Sequence, residues 1–138
     1  MRLFLTSTLT ALTLATGAFA AGHEMAPAIM ANDQSVANGV VSAKMILAPE
    51  NGWMVVHRTD QSMAPGVVVG YAPLRKGENY DVAAILSEAV RPGEMLMLMV
   101  HSEAGGMQMG GFEYTLGAKE DGPIRVGGNL VMQVITAR

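Results

Sequence analysis

The 138-residue chain contains no cysteine. That excludes disulfide staples, thiol nucleophiles, zinc ribbons and thiolate copper centres, so packing alone has to hold any fold. Aromatic residues make up only 5% and charged residues 15% of the sequence. The formal net charge is −3 and the Lys and Arg are scattered, which leaves no basic footprint for nucleic acid. No apolar run of about twenty residues follows the first twenty, so no membrane span is expected in the mature chain.

Residues 1–20, MRLFLTSTLTALTLATGAFA, carry Arg2, an apolar stretch relieved by Ser and Thr, and Ala18-Phe19-Ala20. A short basic start, an apolar middle and a small-x-small ending are the parts of a signal peptide. Cleavage is expected after Ala20, or one residue later after Ala21, giving a periplasmic or secreted protein. Residues 21–33 are Ala-rich and without periodicity, and read as a flexible leader. Residues 34–138 then form one domain, large enough to bury a core unaided.

From Ser35 on, Gly, Pro or Asn-Gly interrupts β-branched runs about every ten residues. Asn38-Gly39 predicts a hairpin between Ser35–Ala37 and Val40–Leu47, because type I′ turns need positive φ. Further strands are expected at Trp53–Arg58, Val67–Tyr71, Asn79–Leu86, Met95–His101 and Phe112–Thr115. Ile124–Val126, Gly127-Gly128 and Asn129–Ala137 form a last hairpin, and a helical turn competes over Asp81–Glu88. About seven to nine short strands without a long helix predict an all-β protein, a single antiparallel β-sandwich of immunoglobulin-like or cupredoxin-like kind.

Several segments occur in a familiar order. They are Ala48-Pro49-Glu50-Asn51-Gly52-Trp53-Met54-Val55-Val56-His57, then Pro65-Gly66-Val67-Val68-Val69-Gly70-Tyr71-Ala72-Pro73-Leu74, then Gly93-Glu94-Met95-Leu96 with Val100-His101. Phe112-Glu113-Tyr114, Asp121-Gly122-Pro123 and Gly127-Gly128 complete the series. The succession resembles a domain-of-unknown-function family of exported and surface proteins of haloarchaea and various bacteria. The resemblance covers roughly Gln34–Thr136. It implies an all-β sandwich worn outside the cell and carries no catalytic residues over to this chain.

Methionine is abundant, with twelve in the chain and eleven beyond the signal. In Glu94-Met95-Leu96-Met97-Leu98-Met99-Val100-His101, an extended backbone puts Met95, Met97, Met99 and His101 on one face. Leu96, Leu98 and Val100 already supply an apolar face, so the methionine face is a second one. Either it packs under a loop or partner, the glycine-rich loop bearing Met107 and Met109 being a natural cover, or it binds metal. Thioether and imidazole are the soft donors that suit Cu(I), while methionine is equally a filler of irregular cores. Cleavage after Ala20 would also expose an Ala21 amine, two amides and the His23 ring, a square-planar set for Cu(II). The copper candidates are therefore Ala21, His23, Met25, Met95, Met97, Met99, His101, Met107 and Met109.

His57 and His101 each end a strand, and Trp53, Val55 and His57 share a face, so the imidazoles are candidates to meet at one rim. Trp53, His57, His101 and Glu103 are the rim and interaction candidates, with Asp60 or Glu103 as bonding partners for the rings. No spacing suits a zinc catalytic site, and no Ser sits in a nucleophile-elbow context. The expected function is a non-catalytic exported binding module with a protein or envelope partner. The alternative is copper handling in the periplasm, copper being the one cofactor the composition suggests.

Overall fold

A computed structural model describes residues 25–138, which form nine strands. They are β1 (Ala28–Met30), β2 (Val40–Ala48), β3 (Gly52–Thr59), β4 (Val68–Leu74), β5 (Gly77–Ile85), β6 (Met95–Ser102), β7 (Arg125–Val126), β8 (Asn129–Leu130) and β9 (Met132–Thr136). Antiparallel pairing builds a three-stranded sheet, β1-β2-β5, and a four-stranded sheet, β4-β3-β6-β9, with β7-β8 as a separate small hairpin. No helix occurs among the described residues. The two larger sheets enclose one core, in which Met54, Val56, Leu96, Leu98 and Val100 meet Val41, Ile46 and Ala84. The all-β antiparallel sandwich is therefore as the sequence predicts.

Four local expectations differ. Part of the presumed leader is a strand: Ile29 is buried and pairs with Ile46, so ordered structure begins before residue 34. Asn38-Gly39 does form a turn, with Gly39 at φ 75° and its amide donating to Val36 at 2.9 Å. Ser35–Ala37 nevertheless does not pair with β2. The Gln34 side chain takes the place of a strand there, donating to Ser42 O at 2.8 Å and accepting from Ser42 N at 2.9 Å. Its backbone meanwhile bridges to Ala137 beside β9. The competing helical turn does not form either, because Val40–Ala43 pairs with Val82–Ile85 and keeps that segment extended.

Phe112–Thr115 is not a strand. Residues 103–124 instead make a long loop that folds back over the outer face of the four-stranded sheet. This answers the question posed by the surplus methionine face. Met97 and Met99 are buried along with Val55, although all three point away from the inter-sheet core.

Candidate functional site

On that outer face, β3 contributes Trp53, Val55 and His57, and β6 contributes Met97, Met99 and His101. The antiparallel register sets His57 opposite Met97, Val55 opposite Met99 and Trp53 opposite His101. The two imidazoles reach toward each other along the diagonal, across the Val55–Met99 pair. Their Nε2 atoms are 3.5 Å apart and both side chains are fully buried.

Each ring is fixed from behind by a backbone carbonyl. His57 Nδ1 donates to Gly66 O at 2.8 Å. The ladder is irregular at Val56/His57, where β4 begins, and Gly66 runs close beneath Arg58. A Cβ on Gly66 would lie 2.7 Å from the Arg58 carbonyl oxygen, so only glycine lets the chain bring that carbonyl to the ring. His101 Nδ1 donates to Asp121 O at 2.6 Å. Asp121 is buried in a left-handed conformation, φ 46°, with its amide bonded to Ala104 O and its Oδ2 accepting from Glu113 N at 2.8 Å. That single residue ties both ends of the covering loop to the ring of His101.

Burial pushes the pKa of both histidines down. His101 falls to about 4, through desolvation first, against the raising effect of the Asp121 bond. His57 is lowered for the same reason, offset in part by Gly66. Tyr114 closes the arrangement from the loop side, edge-on to His101 at 4.5 Å and to His57 at 5.8 Å between ring centres. Beside it, Phe112 stacks on Tyr71 at 4.2 Å and meets Trp53 edge-on at 5.5 Å. The Trp53 indole N–H is buried with no nitrogen or oxygen partner, and the indole ring packs edge-on against Tyr71 and Phe112.

The residues singled out in the sequence are dispersed by the fold. Ala21 and His23 lie outside the described residues. Met25 is exposed, Met95 is half-buried opposite Thr59 at the other end of β6, and Met97 and Met99 are buried. Met107 and Met109 are 99% and 93% exposed at the tip of the loop, so the loop covers the sheet through Phe112 and Tyr114 rather than through its methionines. Of the rim candidates, Trp53, His57 and His101 are buried beneath the loop instead of standing at an open edge. Neither Asp60 nor Glu103 holds a ring: Asp60 accepts from Ser62 N, and Glu103 accepts from Gly110 N at 3.0 Å. The meeting of His57 with His101 stands, while Gly66, Tyr114 and Asp121 are the partners the sequence reading missed. Tyr114 was legible only as part of an aromatic pair in a supposed strand.

Chemically, the site is a pair of neutral, fixed imidazoles sealed from solvent. Among the described residues no three His, Asp or Glu side chains converge as for a metal. A shallow cleft of about 500 Å³ opens alongside, walled by Trp53, Pro73, Leu74 and Met109, with Arg75 and Glu103 at its margin. The histidines do not line it.

No curated protein and no solved structure matches the chain. A family model does, over residues 27–138, and it begins one residue before β1. The chain belongs to the family described as Domain of unknown function (DUF7282).

Proposed function

We propose that this chain is an exported, non-catalytic β-sandwich module that binds an apolar segment of a protein partner in the cell envelope. Export rests on the signal-like residues 1–20. The observation that carries the binding reading is the tip of the 103–124 loop, where Met107 and Met109 stand almost wholly exposed. The loop is braced from within. Glu113 accepts from Gln108 N at 3.0 Å, Glu103 accepts from Gly110 N at 3.0 Å, and Phe112 and Tyr114 anchor its base. Two thioethers held in position by such a scaffold offer adaptable apolar contact with little ordering left to do on binding.

Met109 also forms one wall of the cleft beside Trp53, Pro73 and Leu74, so loop tip and cleft are continuous. An extended apolar segment with charged groups near Arg75 and Glu103 fits that chemistry. Catalysis finds no support in it, since the two histidines suited to acid–base work lie sealed under the loop. A photocrosslinking amino acid placed at position 107 or 109, and at exposed Ile85 as control, tests the reading in cells. A discrete adduct from 107 and 109 that Ile85 does not give is the expected result. Equal labelling from all three positions, or none from any, would sink it.

A further inference from the structure

We infer that His57 and His101 form a binding site for a soft monovalent cation of the cuprous class, with Met99 as the thioether placed to complete it. The inference goes beyond the binding reading and is independent of it.

Hydrogen-bond counting carries the argument. A carbonyl oxygen can only accept, so the bonds to Gly66 O and Asp121 O put a proton on both Nδ1 atoms. A neutral imidazole has one N–H, so both Nε2 atoms present bare lone pairs, and these face each other at 3.5 Å. Two acceptors with nothing between them do not make a hydrogen bond. The alternative tautomer of either ring restores one, but sets a bare Nδ1 against a carbonyl at 2.6 or 2.8 Å. The pair therefore offers three hydrogen-bond positions and holds two protons; it is short of one positive charge. A cation seated between the two Nε2 atoms would fill the gap. A buried pair of lone pairs, each with its second nitrogen anchored on a carbonyl, is how metal-binding histidines are oriented.

The spacing selects a geometry. With metal–nitrogen bonds of about 2.0 Å, a 3.5 Å separation gives an angle at the metal of about 120°. A linear ion would need the nitrogens about 4 Å apart, so the angle calls for a third donor. Met99 occupies the register position between the histidines on the same face, and Met97 lies opposite His57. Both are buried, and neither is needed to fill the core between the sheets. Two imidazoles with thioether suit Cu(I), whereas zinc would demand further nitrogen, thiolate or carboxylate ligands that are not grouped among the described residues. The charge also fits: Asp121, buried on the covering loop, places a negative charge beside His101, which a single positive charge would balance.

The test uses the mature chain with His23→Ala, so that the leader cannot contribute, and silver(I) as a redox-inert probe. One silver per folded chain is expected, with both histidine Nε2 resonances shifting in nitrogen-15 spectra while both Nδ1 resonances keep their protons. His57→Asn and His101→Asn retain a donor for the carbonyl but remove the Nε2 lone pair, and each should abolish binding. Met99→Leu, matched in volume, should weaken it about tenfold or more, the scale on which even outer-shell changes act at metal sites. Met107→Leu with Met109→Leu should leave it unchanged. If the asparagine variants do not fold, the wild-type nitrogen spectra decide alone. No silver bound, or silver bound without Nε2 shifts, overturns the assignment.

Discussion

Gly52 passes directly against His101: a Cβ built on Gly52 collides with the His101 backbone carbonyl oxygen. The obstacle is backbone at the end of the β3–β6 ladder, where Gly52 pairs with Ser102, and it cannot swing aside as a side chain could. Gly52→Ala should therefore force the two strands apart at the end that carries the buried ring. A loss of about 2 kcal/mol is expected, within the range for overpacked sites. Urea denaturation at neutral pH measures it, and a midpoint unchanged from wild type would show that the ladder yields more easily than its geometry implies.

The buried histidines make stability depend on pH in a definite direction. Both are held below the ordinary value, so the unfolded chain takes up protons that the folded chain refuses. Their stabilisation is full above pH about 6.5 and is lost progressively as pH falls towards about 4, where His101 itself titrates. For His101 the full span corresponds to roughly 3 kcal/mol. The groups facing it are His57, Tyr114 and Asp121; His57 opposes its protonation and Asp121 favours it. Denaturant midpoints from pH 7.5 down to 5, above the main carboxylate range, should fall steadily, and the slope should shrink in His101→Asn. A flat profile would mean that the rings are more solvated than their burial suggests.

Much of this arrangement was legible in the sequence, and the part that was not has a physical reason. Alternation marked β6 as two-faced, because Leu96-Leu98-Val100 and Met97-Met99-His101 cannot share a side of a strand. The strand ends placed His57 and His101 within reach of one another. The glycine-rich loop after β6 was legible as a cover for the second face, but the side chains that do the covering were not. Phe112 and Tyr114 alternate as strand residues do, and only the fold shows that their loop lies across the sheet instead of joining its edge. The ring partners were hidden for a related reason. Gly66 and Asp121 act through backbone carbonyls, which any residue possesses, so side-chain chemistry pointed to Asp60 and Glu103 instead. β1 escaped notice because three residues are too few for a periodicity to register.

Tyr114 separates packing from hydrogen bonding. Its ring is buried edge-on against both histidines, whereas its hydroxyl receives only a long bond, 3.4 Å, from Gly117 N. Tyr114→Phe should thus cost less than about 0.5 kcal/mol, below a normal net hydrogen bond. Tyr114→Ala should cost about 3 kcal/mol and admit water to the histidine pair. Thermal denaturation compares the two, and hydrogen exchange at the amides of His57 and His101 reports the opening. If the phenylalanine variant loses as much as the alanine variant, the hydroxyl makes a stronger interaction than this bond.

The methionines should divide sharply in their response to peroxide. A thioether oxidises at a rate set by its access to solvent, and oxidation turns an apolar side chain polar. Met107 and Met109, almost wholly exposed, and Met25 should become sulfoxides first, without loss of fold. Met54, Met97 and Met99 are fully or nearly fully buried and should react only as fast as the protein opens. Peptide mass mapping over a peroxide time course gives the order, with circular dichroism following the fold. A soft cation seated at His57 and His101 should slow Met99 further, and more than Met54, which faces the core between the sheets. Equal protection of Met54 and Met99 would attribute the effect to stabilisation of the whole fold; selective protection of Met99 would mark its sulfur as a ligand.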